Sequence, residues 1–308
     1  MFSDDRIGFK KGTDKTKWEF SHEVYEKWHA LLFDYAKILN ETEIEKIEIE
    51  DNLVIMKLRN YPIKFLAREG DERSMLLDIL NYDKYESNQM GMISKILQLF
   101  SRPVICDIGA NMGFTSCIWG GKFSEAQIFA FEPIKSTYDL LNKNIQLNKL
   151  SNINTFNVGI SNKIGEEIFY FYPWCTANTS LTNLQHREDC LKNKAAINCL
   201  DNIDELKSKK VDFLKIDVEG NEYFALQGAT RILGEDHPVI SIEILRKYSK
   251  EFGYVASDVV NFIKQYGYDM FIADKDKLVQ LDNITEETKE VNFIFLHRDE
   301  HSFIKCQL

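Results

Sequence analysis

The sequence predicts an α/β fold: a mostly parallel β-sheet with helices on both faces and an antiparallel hairpin at one edge. From about Ser87, short apolar strands alternate with amphipathic helices, as in "PVICDI" before "GFTSCIWGG" and "AQIFAFE" before "STYDLLNKNIQLN". Such alternation is typical of right-handed β-α-β units. Near the end, "YDMFIA" and "VNFIFLH" are joined by a polar segment too short for a crossover helix, which indicates the antiparallel edge pair.

An accessory region is predicted for residues 1–82, ahead of the α/β domain at 83–308. Between Trp18 and Asn40, apolar residues recur at spacings of three and four, which predicts a helix with one broad apolar stripe. That stripe suits packing on its own domain, or a lid or homodimer surface. The alternating runs "KIEIEDNLVIMKLRN" and "YPIKFLA" follow and predict a small antiparallel meander.

Composition and charge argue against several classes of protein. A formal net charge of −10 without a long basic block argues against a nucleic-acid partner. No stretch approaches the roughly 20 apolar residues of a membrane helix, and the N-terminus lacks the apolar centre of a secretory signal. We therefore expect a cytoplasmic protein without a membrane span. Six scattered cysteines without a C-x-x-C pair predict neither a zinc site nor a disulfide framework.

The stretch "VICDIGANMGFTS" places a glycine turn between a buried strand and a helix. Gly109 and Gly113 let the backbone approach a ligand, and Asp107 lies near the carboxyl end of the strand, where open α/β sheets bind ligands. The turn lacks both the Lys-Ser/Thr pair of a phosphate-binding loop and the G-x-G-x-x-G of a dinucleotide fingerprint. Several classes of nucleotide-like ligand remain open from the turn alone.

The next strand narrows the choice of ligand. "FAFEP" brings in Glu132, 23 residues after Gly109, the separation at which a β-α-β unit delivers a carboxylate to a ribose diol. A carboxylate accepts hydrogen bonds from both hydroxyls and would repel a phosphate there. Asp107 beside the turn is unfavourable for a pyrophosphate and suits an ammonium group. S-adenosylmethionine, with its ammonium, its sulfonium and its free ribose, meets these conditions.

Several ordered motifs resemble a known enzyme family. "DIGANMG" with "FEP" resembles the class I S-adenosylmethionine-dependent methyltransferases. Together with "YE" (Tyr85-Glu86), "NVGISNKIG", "VDFLKIDVEGNEYFALQGA" and "PVISIEI", it resembles the FkbM-type family in particular, over about Asp83 to Leu245. The resemblance implies a Rossmann-like class I methyltransferase sheet. It also implies S-adenosylmethionine as cofactor and O-methylation of a hydroxyl on a sugar, glycan or secondary metabolite.

The same resemblance assigns cofactor-binding residues by position. The methionine end and the glycine turn are assigned to Glu86, Asp107, Gly109, Asn111, Gly113, Thr115 and Ser116. Asp217 is a separate prediction: its position at the end of an apolar strand predicts contact with the methionine end or a part in catalysis. The ribose and adenine are assigned to Phe131, Glu132, Pro133 and Val158. The chain departs from the family pattern in "GISNKIG", where Gly159 and Asn162 replace the usual Ala and Asp, so the adenine contacts rest on the weakest part of the match.

Carboxylates near two strand ends are the candidates for catalysis. Asp217 ends an apolar strand, where a carboxylate is costly unless it is paired or binds a ligand. Glu219 follows in the turn, whereas Glu222 suits helix capping. In "VISIEIL", the alternation places Glu243 inside a strand that should be buried.

Methyl transfer to an alcohol requires a group that accepts the hydroxyl proton. We expect Glu219 or Glu243 to be this base, with His186 as a third candidate. Asp217 and Glu243 could in principle share a divalent metal, but without a recognisable third ligand no metal site is predicted.

An insertion at residues 168–186 contains no Asp, Glu, Lys or Arg. It suits a hairpin that covers the sheet edge, and it equally suits an acceptor-binding loop in which Tyr170, Tyr172 and Trp174 stack on the substrate. The expected partner is a small-molecule or glycan hydroxyl acceptor.

Two alternatives to a methyltransferase stay open at this point. A nicotinamide-dependent oxidoreductase shares the strand, the glycine turn and the ribose acid, but its G-x-G-x-x-G is missing here. A non-catalytic scaffold need not retain the cofactor constellation. This chain retains all of it, namely Asp107, Gly109, Gly113, Glu132 and Asp217.

Overall fold

The computed structural model describes residues 16–82, 87–184, 186–285 and 287–308. It begins with a long helix, as the apolar stripe predicts. Helices α1 (Lys17–Val24) and α2 (Ala30–Glu41) are joined by a π-helical segment, Tyr25–His29. Thr16 caps the first helix, since its hydroxyl accepts a hydrogen bond from the backbone N of Glu19 at 3.2 Å.

The predicted meander follows the helix. Strands β1 (Ile44–Glu50), β2 (Leu53–Leu58) and β3 (Lys64–Leu66) pair antiparallel in that order. Asp51 and Asn52 join the first two strands, and both have positive φ (49° and 64°). Two such residues give a tight turn whose twist matches the flanking strands, and Asp and Asn tolerate this conformation well.

The strands that follow β3 build two further sheets. In chain order they are β4 (Val104–Ile108), β5 (Gln127–Phe131), β6 (Ile153–Phe156), β7 (Gly159–Ile160), β8 (Gly165–Tyr172), β9 (Cys175–Ser180), β10 (Leu191–Asn198), β11 (Phe213–Ile216), β12 (Val239–Glu243), β13 (Tyr268–Asp274), β14 (Lys277–Leu281) and β15 (Asn292–His297). Within the described residues, the main sheet has eight strands in the order β14-β13-β15-β12-β11-β4-β5-β6. Strands β12, β11, β4, β5 and β6 are mutually parallel, which confirms the Rossmann-like sheet.

The edge of this sheet differs in detail from the prediction. Strands β13 and β15 do pair antiparallel, but β15 also pairs with β12 and lies inside the sheet. The outermost strand is β14, which pairs with β13 and comes from the segment "KLVQL". The sequence pattern missed β14 because the strand is short, none of its residues is buried, and Lys277 and Gln280 interrupt its apolar residues.

The insertion forms a sheet of its own. Strands β8 and β9 make the expected hairpin, and the full sheet has the order β7-β10-β8-β9. Strand β10, "LKNKAAIN", was not predicted, because it carries two lysines and an apolar alternation too weak to identify a strand. It supports the hairpin through seven paired positions with β8.

Helices cover both faces of the main sheet. In chain order they are α3 (Met75–Tyr82), α4 (Ser87–Leu97), α5 (Phe114–Lys122), α6 (Lys135–Leu147), α7 (Glu222–Gln227), α8 (Arg246–Glu251), α9 (Ala256–Lys264) and α10 (Ser302–Lys305). Side chains of α4, α5 and α6, such as Ile93, Ile118 and Leu141, join one core cluster. Those of α7 and α9, such as Leu226 and Val259, join a second cluster on the opposite face. Among the described helices, none combines the length and the apolar character that crossing a membrane requires.

The meander and α3 share the core of the α/β domain. Phe65 and Leu76 are fully buried and belong to the same cluster as Ile118 of α5. The side chains of Asn144 on α6 and of Asn148, the residue that follows this helix, each accept a hydrogen bond at 2.8 Å from backbone N–H groups of β3. Residues 42–82 are therefore packed into the fold, whereas helices α1 and α2 contain no buried residue.

Candidate active site

The site lies where the parallel strands end, around the turn after β4. The backbone N–H groups of Gly109 and Ala110 donate to the Phe131 carbonyl oxygen at 3.1 and 3.0 Å, which ties the turn to the end of β5. Gly109 has a φ of +81°, and a Cβ there would lie 1.8 Å from the Asp217 carbonyl oxygen. Only glycine permits this approach between the ends of β4 and β11.

Asn111 and Glu132 are held together at this turn. Asn111 has a φ of +49°, a conformation in which Asn is enriched, and its backbone N–H donates to Glu132 Oε2 at 3.1 Å. Glu132 Oε1 accepts from the backbone N–H of Ile134 at 2.8 Å. The side chain is 5% exposed, and burial raises the pKa of Glu132 to about 7. The carboxyl group is therefore fixed in place by the backbone.

A cavity of about 540 Å³ opens beside this carboxyl group, and we call it the Glu132 cavity. On its far side lie Gly159 and Ile160, which follow Val158 in the chain. The predicted residues that line it are Gly109, Asn111, Phe131, Glu132, Pro133, Asp217 and Glu219.

Polar side chains cross the sheet on the face that leads to this edge. Lys215 in β11 is the register partner of Asp107 in β4 and of Ser241 in β12. Because alternate residues of a strand share a face, Asp217 and Glu243 follow two positions further along the same face. Lys215 Nζ lies 3.4 Å from Asp107 Oδ1 and 3.2 Å from Asp217 Oδ2, so one lysine compensates two carboxylates.

Three carboxyl groups converge beyond this lysine. Asp217, Glu219 and Glu243 each have an oxygen within 4.8 Å of the others. Glu219 has a φ of +52°, and its carbonyl oxygen accepts from Ser180 Oγ at 2.6 Å. Its buried Oε2 has no hydrogen-bond partner among the described residues. Burial, and then the charges of Asp217 and Glu222, raise the pKa of Glu219 well above the usual value for a glutamate.

Glu222 has the structural role expected from the sequence. Its Oε1 accepts from the backbone N–H of Gly220 at 2.9 Å, and its Oε2 accepts from the Tyr254 hydroxyl at 3.0 Å. Both contacts hold the turn that carries Glu219 against the body of the domain.

A second cavity, of about 610 Å³, opens on the other side of the three acids, and we call it the Glu243 cavity. Lys215, Glu243 and the predicted Thr115 line it, and Met75 reaches it from α3 of the accessory region. The two cavities share part of their walls, namely Gly109, Asn111, Ala177, Asp217 and Glu219. A ligand in one cavity therefore lies next to a ligand in the other.

The β8–β9 hairpin covers the junction of the two cavities. Asp71, a loop residue of the accessory region that is 4% exposed, accepts a hydrogen bond from Thr176 Oγ1 at 2.5 Å. The Thr176 carbonyl oxygen accepts in turn from Asn111 Nδ2 at 3.4 Å. The hairpin is thus attached on one side to the accessory region and on the other to the glycine turn.

The hairpin contributes different residues from those predicted. Thr176, Ala177 and Thr179 line the Glu132 cavity, whereas Tyr170, Tyr172 and Trp174 line neither cavity. Tyr172 is fully buried and donates its hydroxyl hydrogen to Asn183 Oδ1. The expected stacking of these three aromatic rings on an acceptor is therefore wrong for Tyr172 and unsupported for the other two.

His186 is not brought to the site. Its side chain is 72% exposed, and its Nε2 lies 3.7 Å from Glu251 Oε1 on the surface. It lines neither cavity, so we drop it as a candidate base. Glu86, the remaining residue assigned to the methionine end, lies outside the described residues.

Some predicted cofactor residues support the site without lining it. Asp107 is fully buried and accepts from Ser116 Oγ at 2.5 Å, so this pair lies beneath the cavities. Gly113, with a φ of +86°, starts helix α5, and Val158 stands next to the lining residue Gly159. These residues shape the turn and its surroundings.

Sequence reasoning missed Lys215, Met75 and the threonines of the hairpin. The sequence does contain a sign of Lys215, because a lysine in the otherwise apolar strand "FLKI" has to be paired or exposed. It contains no such sign for Met75 and Thr176, since only the tertiary fold brings the accessory region and the insertion to the glycine turn.

The donor set suits an organic cation with a ribose. Gly109 lets the turn pass close to a ligand, and Glu132 supplies acceptors for hydroxyl groups. Glu219, whose buried Oε2 has no hydrogen-bond partner among the described residues, lines both cavities. The three converging carboxyl groups have the oxygen chemistry that a hard divalent cation prefers. Lys215 Nζ lies 3.2 Å from Asp217, so part of the negative charge that would hold such a cation is already compensated.

Comparison with known proteins identifies the family. Residues 107–270 match the Methyltransferase FkbM domain. Methyltransferase sdnD of Sordaria araneosa is 30% identical over an alignment of 162 residues, and the match covers 43% of this chain and 62% of that protein. Methyltransferase 1 of Beauveria bassiana (strain ARSEF 2860) is 26% identical over 144 residues, 40% of this chain and 57% of that protein. The matched stretches therefore span less than two thirds of these relatives.

Two solved structures align with this chain at low sequence identity. The crystal structure of Methyltransferase FkbM from Methylobacillus flagellatus KT is 14% identical, with a TM-score of 0.47, and covers 74% of this chain and 56% of that chain. A SAM-dependent O-methyltransferase from Thermotoga maritima is 11% identical, with a TM-score of 0.38, over 82% of this chain and 77% of that one. Because the matched residues 107–270 make up more than half of the 308 and contain the glycine turn, Glu132 and the three acids, the chain belongs to the FkbM methyltransferase family.

Proposed function

We propose that the protein transfers the methyl group of S-adenosylmethionine to a hydroxyl oxygen of a small-molecule or glycan acceptor, such as a sugar or a secondary metabolite. The main support for the proposal is that the Glu132 cavity and the Glu243 cavity meet at Glu219. The first cavity contains a carboxyl group suited to a ribose. The pKa of Glu219 is raised, as is required of a base that accepts a hydroxyl proton.

Glu132 and Gly109 would hold the donor. Each Glu132 oxygen accepts one backbone hydrogen bond and keeps a lone pair for a ribose hydroxyl. Asp217 gives the junction a carboxylate, which favours a cationic ligand. Bound there, S-adenosylmethionine would supply an electrophilic methyl group on its sulfonium.

Glu219 would accept the proton that the acceptor hydroxyl loses. Its carboxyl group lines both cavities, so an acceptor in the Glu243 cavity comes within its reach. Glu243 lines the Glu243 cavity and would orient the acceptor, or serve as the base in place of Glu219. Most of the rate enhancement would come from aligning the acceptor oxygen with the methyl group, since the two adjoining cavities hold both reactants at one junction.

Calorimetric titration of the cofactor-stripped protein with S-adenosylmethionine and, separately, with NAD tests the proposal. We expect saturable binding of S-adenosylmethionine and none of NAD. Glu132→Ala should weaken that binding about tenfold or more, because hydrogen bonds to a charged group are worth roughly 1.5–3 kcal/mol. Glu69→Ala, at an exposed position, is the matched control.

The other possible results of this titration would each support a different function. Binding of NAD in place of S-adenosylmethionine would establish a nicotinamide-dependent oxidoreductase. Binding of neither by folded protein would leave a scaffold with a methyltransferase fold. The cytoplasmic location and the absence of a nucleic-acid partner stay predictions from the sequence.

A further inference from the structure

A third cavity, of about 1260 Å³, lies beyond the end of β12, and we call it the basic groove. Helix α8 supplies three cationic side chains to it, and apolar residues from α9 and from the chain before β15 face them. The residues that the argument uses are Arg246, Lys247, Lys250, Val255, Ile284 and Val291. No Asp or Glu is among the described residues that line it.

None of the three cations forms an ion pair with a carboxylate of the described residues. Arg246 donates a hydrogen bond to the Thr285 carbonyl oxygen at 2.5 Å, which fixes its guanidinium at the groove. In the part of the chain that the structure describes, neither Arg246, Lys247 nor Lys250 forms an ion pair with a carboxylate. The protein as a whole carries a net charge of −10, so three cations in one concave site that no described Asp or Glu lines are a local exception. Such a concentration of positive charge attracts anions.

The groove adjoins the proposed catalytic acids. Glu243 pairs in register with Asn292, and the next backbone N–H, that of Ile244, donates to the Val291 carbonyl oxygen at 2.7 Å. Val291 lines the basic groove, which therefore begins beside Glu243.

Helix α8 also packs on the turn that carries Glu219. A Cβ at Gly220 would lie 2.5 Å from Phe252 Cε2 and 3.3 Å from Tyr248 Cβ. The positive charge of Lys247 reaches Glu219, where it opposes part of the rise in pKa. The cations and the acids are thus on neighbouring sides of one turn.

We propose that the basic groove binds an anionic group, a phosphate or a carboxylate, that belongs to the methyl acceptor. The inference rests on the proposed function, because it assumes that the acceptor hydroxyl reaches Glu219. It narrows the substrate class from any hydroxyl compound to a hydroxylated anion. The apolar residues Val255, Ile284 and Val291 would contact the carbon skeleton next to that anionic group.

The test compares two double variants of the full chain. Lys247→Gln/Lys250→Gln removes two charges from the groove and leaves Arg246 in its structural contact. Lys143→Gln/Lys192→Gln removes two charges from exposed positions elsewhere. Inorganic phosphate and acetate are titrated separately into each protein at low ionic strength, and the backbone amide signals of residues 245–257 are followed by NMR. Titration with S-adenosylmethionine is run on the same samples.

We expect saturable shifts of these signals with at least one anion in the wild type and in the control variant. The groove variant should bind that anion about tenfold more weakly, since charge contacts at a partly exposed site contribute modestly. A stronger response to phosphate identifies a phosphorylated acceptor, and a stronger response to acetate identifies a carboxylated one. Unaltered binding of S-adenosylmethionine in the groove variant would separate this effect from the donor site.

The inference is overturned if neither anion shifts these signals, or if the groove variant binds the anions as well as the wild type. If S-adenosylmethionine still binds in that case, the proposed function stands without the groove. Failure of S-adenosylmethionine to bind any of the proteins would remove the proposed function instead. With a turned-over acceptor in hand, the groove variant should raise KM. Because the loss of Lys247 raises the pKa of Glu219 further, kcat is compared at a pH above that pKa, where it should change little.

Discussion

Gly109 lies where the backbone segments after β4 and β11 come closest together, so the site should tolerate a substitution there least. A Cβ would lie 1.8 Å from the Asp217 carbonyl oxygen, and the φ of +81° disfavours any other residue. We expect Gly109→Ala to lower the free energy of unfolding by roughly 3 kcal/mol or more, because the backbone must move. Denaturant unfolding followed by circular dichroism measures this.

Gly91 provides the matched control. It lies in α4 with nothing within 4 Å of an added Cβ. Gly91→Ala should leave stability unchanged or raise it by up to about 1 kcal/mol, since alanine favours a helix. Equal effects of the two substitutions would contradict the turn geometry.

Glu219 leads to a prediction about pH. Because its pKa is raised, the carboxylate form that accepts a proton becomes populated only as the pH rises through that pKa. We expect kcat/KM for methyl transfer to increase with pH across this range. Glu219→Gln should lower kcat by about 10²–10⁴-fold and abolish the rise. Glu243→Gln should keep the rising limb; if it is Glu243→Gln that loses it, Glu243 is the base.

Single residues also show how far the sequence could predict the site. The strand ends located Asp217 and Glu243, because alternation fixes the face of a side chain within a strand. Lys215 was overlooked although it pairs with both Asp107 and Asp217. His186 was considered only for its chemistry, and the fold places it at the surface. The sequence pattern of a strand predicts which face of the strand a side chain lies on. It does not predict which loops the fold brings to the site.

At the scale of elements, the β8–β9 hairpin depends on one buried carboxylate. Asp71 accepts from the Thr176 hydroxyl, and Asp71→Ala leaves that buried group without its partner. The loss should cost about 1–3 kcal/mol locally and loosen the hairpin. We expect faster amide hydrogen exchange at residues 175–180 and weaker binding of S-adenosylmethionine.

Glu72→Ala is the control for this experiment. Its side chain is exposed, and its backbone N–H, which the substitution keeps, donates to the Trp174 carbonyl oxygen at 2.9 Å. This variant should exchange like the wild type. Normal exchange in Asp71→Ala would show that the hairpin holds its position without the carboxylate.

Elements differed in how well the sequence revealed them. The buried parallel strands β4, β5, β11 and β12 appear in the sequence as mostly apolar runs, because helices cover both of their faces. Strands β10 and β14 carry polar residues and lie outside the main core, so their pairing depends on neighbours that the sequence alone does not identify. The insertion was recognised as a hairpin, but its separate sheet required β10.

At the scale of the whole molecule, the N-terminal helix leaves an apolar surface uncovered. Seven large apolar side chains on α1, the π-helical segment and α2 are 39–72% exposed, namely Trp18, Tyr25, Leu31, Leu32, Phe33, Tyr35 and Ile38. Because successive residues of a helix point about 100° apart, these side chains lie on more than one face. Tyr25, Leu32 and Tyr35 share the predicted apolar stripe, and an interface along that stripe would bury them.

We therefore propose that a second copy of the chain covers this helix, and we expect light scattering to give twice the 35.9 kDa of one chain. Leu32→Glu/Phe33→Glu should produce monomers. Ile164→Glu/Leu191→Glu, at exposed apolar positions outside the helix, should not. A wild-type mass of 35.9 kDa at micromolar concentration would remove the homodimer.

The wall common to the Glu132 and Glu243 cavities has a kinetic consequence. Gly109, Asn111, Ala177, Asp217 and Glu219 face both spaces, so whatever occupies the first cavity forms part of the surface that a second substrate meets. Both substrates must then be present together before turnover. Steady-state initial-rate plots should intersect, as in a sequential mechanism, and not run parallel, as they would if the enzyme carried the methyl group between two separate encounters.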